Sequence, residues 1–511
     1  MHGQIGVPKE TLSPLVPAAP IQHLDVLIVG AGLSGVDAAY RLQTECAGKS
    51  YQILEARDEI GGTWDLFRYP GIRSDSDMNT LGFPFRPWHG EKSIADGESI
   101  RQYISDTARE FGIDRQIRFG HRVTKAAWTS EDARWIVDVE RADGSVVRFS
   151  CGLVFMCSGY YDYSGGYTPS YPGIADFRGL VVHPQRWPEG LEVAGRQVVV
   201  VGSGATAVTL VPALAAQGAN VVMLQRSPTY VVSRPARDPV ARRLRRFLPG
   251  FVADGAIRWK NILLGIVTYR LSKRRPEKVK GLILKGIRAQ VGPDYDVARH
   301  FTPSYNPWDQ RVCLVPDGDL FATLRSGRAK IITDRIATFT VDGLKLESGE
   351  TLTADIVVSA TGLVIQLMGG AVIEVDGRSI NFAERMLYKG MMFSDVPNFA
   401  FAFGYTNASW TLKCDLTARY VCRLLNRMEK RGERICMPTL PAGGVEPEEM
   451  LDFSSGYVKR ASAILPRQGA KSPWRVHQNY VSDLLALSFG RLDDGVMKFE
   501  RGRAERNGAQ S

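Results

Sequence analysis

The sequence predicts an α/β fold with two Rossmann-like dinucleotide-binding domains and a helical insertion. Two apolar runs that each lead into a glycine-rich turn predict the domains, and a cation-rich, helix-compatible stretch at about residues 235–300 predicts the insertion. With 511 residues, 44% of them hydrophobic, the chain is long enough for two or three domains with buried cores.

The first glycine-rich turn follows residues 25–30, DVLIVG, a continuous apolar run typical of a buried parallel strand. Glycine at such a turn lets the backbone approach a pyrophosphate, and the N-terminus of the next helix then faces the phosphates. Another apolar run ends in Glu55, twenty residues after Gly35, where an acid that binds a ribose diol is expected. The turn residues predicted to bind this dinucleotide are Gly30, Gly32, Ser34 and Gly35.

The same pattern recurs at residues 197–201, QVVVV. Its next apolar run ends in Gln225 and Arg226 instead of an acid. A carboxylate there would repel a 2′-phosphate, whereas an arginine holds it with forked, charge-assisted hydrogen bonds. The second site is therefore predicted to bind NADP(H), the alternative being that Arg226 is an ordinary surface arginine. Its turn residues are Gly202, Ser203, Gly204, Ala205, Thr206 and Ala207.

Two dinucleotide sites in one chain predict two cofactors, and the simplest pair is a flavin that NADPH reduces. Residues 355–362, DIVVSATG, are expected to form a strand that closes on a small-residue turn at Thr361 and Gly362, where backbone approaches the flavin. The alternative is an ordinary strand-to-turn transition. Residues 153–157 have the same form, so the first domain is expected to be interrupted and later resumed.

Two aromatic motifs lie between the glycine-rich turns. Residues 61–75 read GGTWDLFRYPGIRSD and residues 173–188 read GIADFRGLVVHPQRWP. In this order the motifs resemble those of type I Baeyer–Villiger monooxygenases, a family with FAD and NADPH sites on one chain. Related N- and S-oxygenating flavin monooxygenases usually lack a tryptophan at the end of the second motif. That motif consists of Phe177, Gly179, His183 and Trp187.

The resemblance implies roles for several further residues. Arg311, in SYNPWDQRVCLV, corresponds to the active-site arginine, and Asp75 to the acid that pairs with it. His183 is expected to act as a hinge residue that positions the NADP domain, the alternative being a direct acid or base. Gln310 stands where some family members carry a lysine, which leaves Arg226 as the main determinant of 2′-phosphate binding. The resemblance adds Gly62, Thr63, Trp64, Asp75 and Val123 to the FAD site, and Arg73 and Gln225 to the NADP site.

The reaction that the resemblance implies is conversion of ketones to esters or lactones through a C4a-peroxyflavin, with S-oxygenation of thioethers or thioamides beside it. It consumes NADPH and molecular oxygen, and the partner is a small ketone or sulfur compound. Arg311 suits the reaction because a guanidinium stays charged and stabilises the negative charge that develops on oxygen. Two alternatives remain open: an S- or N-oxygenase without physiological ester formation, and a membrane-associated NADP-binding flavoprotein that does not oxygenate.

The motifs also predict the order of domains along the chain. The predicted segments are a disordered arm at 1–20, a first part of the FAD domain at 21–165, a linker with the second aromatic motif at 166–195, the NADP domain with its insertion at 196–354, a second part of the FAD domain at 355–500, and a tail at 501–511.

Charge and cysteine content narrow the classes of partner. Residues 234–290 carry sixteen lysines or arginines against three acids, a net +13, so the rest of a chain with a formal charge of +10 is slightly acidic. No nucleic-acid signature accompanies the basic stretch, and nucleic acid is not an expected partner. The stretch is interpreted as a solvated helical cover, with peripheral contact to an anionic membrane surface as the alternative.

Seven scattered cysteines without a C-x-x-C pair predict reduced thiols and no metal site. No apolar run reaches the roughly 18 residues that span a bilayer. The predicted location is cytoplasmic, with attachment at the inner face of the membrane as the alternative, and the sequence assigns no oligomeric state.

Overall fold

The computed structural model describes residues 21–451 and 455–502. The predicted arm, and the predicted tail beyond residue 502, lie outside the described residues. The α-helices, α1 to α13 in chain order, are Leu33–Glu45, Thr63–Leu66, Met78–Leu81, Gly97–Glu110, Ala205–Ala216, Pro239–Phe247, Gly250–Arg274, Pro276–Val291, Val297–Phe301, Asp319–Arg325, Trp410–Arg431, Gly456–Ala461 and Tyr480–Leu484. The strands, β1 to β25, are Gln22–Val29, Tyr51–Leu54, Ile117–Arg118, His121–Thr129, Arg134–Arg141, Val146–Met156, Leu180–Val182, Gln197–Val201, Asn220–Gln225, Val231–Arg234, Cys313–Pro316, Ala329–Thr333, Ile336–Thr340, Gly343–Leu346, Thr351–Thr353, Ile356–Ser359, Val372–Val375, Arg378–Ser379, Leu387–Tyr388, Met392–Phe393, Phe399–Phe401, Ile435–Pro438, Glu448–Glu449, Arg467–Gln468 and Met497–Glu500.

The first sheet has nine strands in the order β18-β17-β4-β5-β6-β1-β2-β3, with β21 beside β6. Strand β1 is parallel to both β2 and β6. Val26, Leu27 and Ile28 in β1 are fully buried, as a continuous apolar run predicts for a strand covered on both faces. Helices α1 and α11 pack against each other over this sheet. The glycine-rich turn between β1 and α1 therefore lies at the carboxyl edge of a parallel sheet.

The second sheet has five parallel strands in the order β12-β9-β8-β16-β7. Its central residues, Val199, Val200 and Val358, are fully buried. Helices α5 and α10 contribute to the core on one face, and the small antiparallel sheet β13-β14-β15 packs on the other. The turn between β8 and α5 thus repeats the arrangement of the first sheet, and the two-domain α/β fold predicted from the sequence is confirmed.

Strand β16 corrects the prediction that the first domain resumes at residue 355. Ile356 pairs with Val198 of β8 and with Leu180 of β7, so this strand belongs to the second sheet, and the first sheet resumes only at β17. Strand β7 likewise gives the predicted linker, residues 166–195, an edge strand of the second sheet. A short apolar run fits any buried parallel sheet, so periodicity could not choose between the two.

The chain passes between the two sheets twice, between β6 and β7 and between β16 and β17. The two crossings run side by side and are joined by backbone hydrogen bonds. They are Asp162 N–H to Val364 O at 2.9 Å, Tyr167 N–H to Gly362 O at 3.1 Å and Gln366 N–H to Tyr160 O at 3.1 Å. We call residues 160–167 and 361–367 the double crossing.

Helices α6 to α9 fill the region of the predicted insertion and lie between β10 and β11. Helix α7 contacts α6, α8 and α3. None of the helices in the described ranges combines the length and apolar character needed to cross a membrane. All seven cysteines are buried and unpaired.

Candidate active site

A cleft of about 1230 Å³ is lined by both glycine-rich turns and by the double crossing. Its volume exceeds the roughly 300–1,000 Å³ of a site for one small molecule. Residues of the first sheet and of the second sheet face each other across it. The cleft therefore has room for two nucleotide cofactors.

The first turn has the close backbone packing that requires glycine. Gly30 has φ +107°, and a Cβ there would lie 2.6 Å from the carbonyl oxygen of Cys157. A Cβ at Gly35 would lie 1.9 Å from the carbonyl oxygen of Gly30. Gly32 begins α1 without a side-chain cap, so the first N–H groups of the helix remain available to an anion. The turn fits the pyrophosphate of a dinucleotide.

Glu55 completes this first site at the end of β2. Its Oε2 accepts a hydrogen bond from Ala31 N–H at 2.7 Å, and its Oε1 accepts one from Arg57 N–H at 2.9 Å. Burial raises the pKa of Glu55, and the two backbone hydrogen bonds oppose that rise. The carboxyl group is held beside the glycine-rich turn and lines the cleft, where a ribose diol is expected.

The other residues predicted for the flavin divide into two groups. Ser34 is buried. Its hydroxyl donates a hydrogen bond to Cys414 Sγ at 3.3 Å and accepts one from Trp410 Nε1–H at 3.0 Å. Gly35 does not line the cleft and serves the packing of α1. The predicted residues that do line the cleft are Gly30, Gly32, Ser34, Glu55, Gly62, Thr63, Trp64, Asp75, Val123, Thr361 and Gly362.

Gly62 brings the first aromatic motif against the first turn. A Cβ at Gly62 would lie 3.2 Å from Gly32 Cα, and one at Gly32 would lie 3.5 Å from Gly62 Cα. The two turns touch through their glycines, which places Thr63 and Trp64 at the cleft. Thr361 and Gly362 instead follow β16 and lie beside the second turn, so their predicted contact with the flavin stays a prediction.

The second turn contains one glycine that the fold requires and one that it does not. Gly202 has φ +141°, and a Cβ there would lie 2.4 Å from Ala360 O. Gly204 has φ −78°, and nothing lies within 4 Å of its Cβ position. Ser203 Oγ donates to Ser227 O at 2.9 Å. Like α1, helix α5 begins without a side-chain cap. The open space at Gly204 fits close approach of a ligand.

Arg226 lines this second site and is exposed. Gln225, which was predicted to act with it, does not reach the cleft. Its buried amide Nε2 donates to His300 O at 2.8 Å and Thr333 Oγ1 at 2.9 Å. The structure thus corrects the prediction for Gln225, because β9 turns its side chain into the core of the second domain.

The remaining predicted NADP residues differ in their environments. Arg73 lines the cleft and forms an ion pair with Asp319. Its Nε is buried without a hydrogen-bond partner. Ala207, within α5, is fully buried, whereas Ser203, Ala205 and Thr206 line the cleft. Arg73 therefore joins the two halves of the cleft through Asp319 at the start of α10.

The predicted pair Arg311 and Asp75 is present in the cleft. Arg311 Nε donates to Asp75 Oδ2 at 2.6 Å, and each side chain is about a third exposed, 35% and 34%. Arg311 precedes β11, and Asp75 lies in the loop before α3. Burial lowers the pKa of Arg311. The carboxylate of Asp75 and the nearby tyrosines raise this pKa by more than burial lowers it, so the net shift is upward. The guanidinium stays charged at any working pH.

Three tyrosines near Arg311 were not among the predicted site residues. Tyr160 and Tyr161 belong to the double crossing, and their hydroxyls lie 2.6 Å apart. Tyr457 is the third, and burial raises the pKa of all three. The aromatic run YYDY, which begins four residues after the end of β6, could have indicated the first two, since that strand ends at the cleft.

The second aromatic motif lies behind the cleft wall. Phe177 stacks edge-on against Phe339, with ring centroids 5.6 Å apart, and a Cβ at Gly179 would lie 2.3 Å from the Phe177 ring. Trp187 packs against the core of the second domain. None of these residues, nor His183, lines the cleft. The motif therefore packs around β7 and does not contact the cleft.

His183 connects this motif to the double crossing. Its Nε2 lies 3.3 Å from Gly362 O, and its Nδ1 accepts a hydrogen bond from Gln185 N–H at 3.2 Å. Gln185 Nε2 in turn donates to Asp162 O at 2.7 Å. Burial lowers the pKa of His183. This position supports the predicted hinge role, which stays a prediction.

Two helix N-termini without side-chain caps, the buried carboxyl group of Glu55 and the exposed side chain of Arg226 thus face one cleft. These residues fit a pair of dinucleotides. The described ranges hold no cluster of metal-ligating side chains. A family model described as flavin-binding monooxygenase-like matches residues 23–242. The class defined by this fold and site is that of two-dinucleotide flavoproteins.

Individual relatives extend the match over nearly the whole chain. FAD-containing monooxygenase EthA of Mycobacterium tuberculosis (strain CDC 1551 / Oshkosh) is 51% identical over 94% of this chain and 98% of its own length. A probable FAD-binding monooxygenase, AlmA of an Acinetobacter species, is 46% identical over 94% of this chain and 97% of its own length. The chain belongs to the flavin-binding monooxygenase family.

Solved structures share the fold at lower identity. An oxidized steroid monooxygenase bound to NADP has a TM-score of 0.72 at 22% identity and covers 94% of this chain and 100% of its own. A cyclohexanone monooxygenase in an open form has a TM-score of 0.71 at 20% identity, with the same coverage. These likenesses concern the fold alone.

Proposed function

We propose that the chain is a Baeyer–Villiger monooxygenase that converts ketones to esters or lactones. As a member of its family it is an NADPH-dependent flavin monooxygenase, and FAD and NADPH are its cofactors. The observation that carries the ketone assignment is the position of Arg311. Its permanent charge is held at 2.6 Å by Asp75 in the cleft between the two dinucleotide turns.

The two sites differ in the residue that would contact the ribose of the dinucleotide, and this difference assigns one cofactor to each turn. Gly32 and Glu55 would hold FAD, since a buried carboxyl suits a free ribose diol. Gly204 and Arg226 would hold NADPH, since an exposed arginine suits a 2′-phosphate. Reduced flavin, when bound, supplies oxygen activated from O₂.

Arg311 would stabilise the negative charge that develops on oxygen when a ketone carbonyl is attacked. A guanidinium does this in a partly closed cleft without taking up or losing a proton. Asp75 fixes its orientation. Tyr160, Tyr161 and Tyr457 stay protonated because burial raises their pKa values, so they can donate hydrogen bonds beside it.

Arg311→Ala tests this assignment. We expect the variant to accept electrons from NADPH at the normal rate but to form ester roughly 100- to 1000-fold more slowly, the usual cost of removing a preorganised charge donor. Stopped-flow measurement of NADPH-dependent reduction separates this step from ester yield, which is measured by product mass. Normal ester formation by Arg311→Ala would falsify the role of Arg311.

Two matched variants sharpen the test. Arg311→Lys keeps the positive charge but loses the paired N–H donors of the planar guanidinium, so this variant should retain part of the ester yield. Arg226→Ala removes another arginine of the same cleft. It should raise the KM for NADPH while the fraction of consumed NADPH recovered as ester stays normal at saturating cofactor.

S-oxygenation of thioethers or thioamides is the second reaction that we propose. A sulfur atom attacks oxygen as a nucleophile and needs no oxyanion stabilisation at the substrate, so Arg311→Ala should lose ester before it loses sulfoxide. Product analysis with a plain ketone and a thioether therefore distinguishes a Baeyer–Villiger enzyme from an S-oxygenase without ester formation. NADPH consumption without either product would favour a flavoprotein that does not oxygenate. A panel of ketones tested in the same way would define the substrate class.

A further inference from the structure

The outer face of α7 carries large apolar side chains in contact with solvent. Trp259, Leu263, Val267 and Leu271 follow one another at intervals of four residues and are 42%, 50%, 61% and 46% exposed. Side chains at this spacing share one helix face. A helix that covers an enzyme in water is normally polar on its outer side, and large exposed apolar patches mark interaction surfaces.

The apolar face continues beyond α7. Phe247 and Phe251, at the junction of α6 and α7, are 76% and 83% exposed. At α13, the Trp259 ring contacts that of Tyr480, with centroids 5.9 Å apart. Phe489, in the segment that follows α13, is 76% exposed. We call the apolar side chains of α6 to α8 and of this segment the outer patch.

Helices α6 to α8, which carry most of the outer patch, also carry many basic side chains. Several basic residues of the insertion are used within the protein, as in the pairs Arg245 with Asp254 and Lys260 with Asp238. Others have no ion pair among the described residues. These free cations are Arg242, Arg243, Arg246, Arg270, Arg274, Arg275, Lys278, Lys280, Lys285 and Arg288.

The inner face of α7 packs against the rest of the protein and forms hydrogen bonds with it. Ile262 packs against Tyr405 and Leu412, and Arg258 Nη1 donates to Gly82 O at 2.8 Å. Asn261 Nδ2 donates to Asp77 Oδ1 at 2.9 Å. The helix is held in place from within, so packing in this chain does not account for the apolar character of its outer face.

We infer that the outer patch docks on the surface of an anionic lipid bilayer. Its aromatic and aliphatic side chains insert among the acyl chains near the headgroups, and the free cations contact lipid phosphates. A second copy of the chain fits less well, because a two-fold contact would bring together two surfaces from segments of net charge +13. No helix within residues 21–451 and 455–502 could cross the bilayer, so the proposed contact is with its surface.

Vesicle co-sedimentation of the FAD-loaded full chain tests the inference. Vesicles of phosphatidylcholine with phosphatidylglycerol should retain the protein at about 0.01 M ionic strength, where charges act over about 30 Å. Vesicles of phosphatidylcholine alone should retain much less. Leu263→Gln with Val267→Gln should weaken binding at least about tenfold, and Arg270→Gln, Arg274→Gln and Arg275→Gln together should weaken it about 100-fold, at about 1 kcal/mol per cation.

Matched controls outside the insertion show whether composition alone matters. Val146→Gln removes an equally exposed apolar side chain of the first sheet. Arg328→Gln, Lys330→Gln and Lys345→Gln remove three exposed cations of the second domain. Both controls should bind as the parent does. Failure of the parent chain to bind anionic vesicles, or equal loss in the controls, would overturn the inference. So would a shift from dimer to monomer in the α7 variants with no change in vesicle binding. Because binding is measured without turnover, a wrong assignment of the reaction would leave this result unaffected.

Discussion

The contrast between Gly202 and Gly204 gives the sharpest test of the second dinucleotide site. Both glycines belong to the turn between β8 and α5, yet the fold needs only the first. A Cβ at Gly202 would lie 2.4 Å from Ala360 O, about 1 Å short of ordinary contact at 3.4 Å, with φ at +141°. Overpacking of this kind costs about 1–3 kcal/mol, and the backbone conformation adds about 1–2 kcal/mol. Gly202→Ala should therefore lose roughly 2–5 kcal/mol of unfolding free energy.

Gly204→Ala should behave in the opposite way. Its new methyl group meets nothing within 4 Å, and φ is an ordinary −78°. Replacing glycine at a helix N-terminus costs under about 1 kcal/mol, so the Tm should change little. The methyl group would instead obstruct a pyrophosphate at this helix end, and the Kd of NADP⁺ should rise at least about tenfold.

Thermal unfolding measures the first effect, and titration of the flavin absorbance with NADP⁺ measures the second. An unchanged Kd for NADP⁺ in Gly204→Ala would refute the placement of the nucleotide at this turn. A lowered Tm in the same variant would mean that the glycine is structural after all. Flavin content should remain normal in both variants, because neither touches the first turn.

Three further predictions concern single side chains. Asp75→Asn keeps an oxygen for Arg311 but removes the charge, so it should lower stability by only about 1 kcal/mol for a pair that is a third exposed, and reduce the ester formed per NADPH consumed; unchanged coupling would contradict the positioning role. Arg226→Ala should lower the kcat/KM ratio of NADPH over NADH by about 10- to 100-fold, the worth of one or two charged hydrogen bonds, and equal ratios in parent and variant would exclude 2′-phosphate binding there. His183 has a pKa below its unfolded value near 6.5, so its contribution to stability is present above that pH and lost as pH falls through the folded pKa. The Tm difference between parent and His183→Gln should therefore shrink from about pH 8 to pH 5, as thermal unfolding would show, and a constant difference would exclude a titrating His183.

Much of the dinucleotide architecture was predictable because its constraints are local. The turn at Gly30 needs glycine for a positive φ and a close carbonyl, and the run before it must be apolar because β1 is buried on both faces. Glu55 could be placed by counting residues, since the length of α1 and β2 fixes where the second strand ends. Such features follow from covalent geometry and from burial within one βαβ unit.

The placement of β16 and the side chain of Gln225 were not predictable in this way. Which sheet receives a four-residue apolar strand depends on long-range pairing, here with β7 and β8. Whether the side chain at the end of β9 points to ligand or core depends on what packs behind it, here His300 and Thr333. Tyr457 reaches Arg311 from a distant helix, so no spacing in the sequence could connect them.

The double crossing joins the two domains by two connections that are hydrogen-bonded to each other. A single connection would permit swivelling in any direction, whereas two antiparallel segments joined by backbone hydrogen bonds, with Tyr161 paired to Ile365, restrict the relative motion of the domains. Tyr160 and Tyr161 lie on the double crossing near Arg311, so bending there would move them with respect to the guanidinium. Any relative motion of the two domains would thus change the surroundings of this charge.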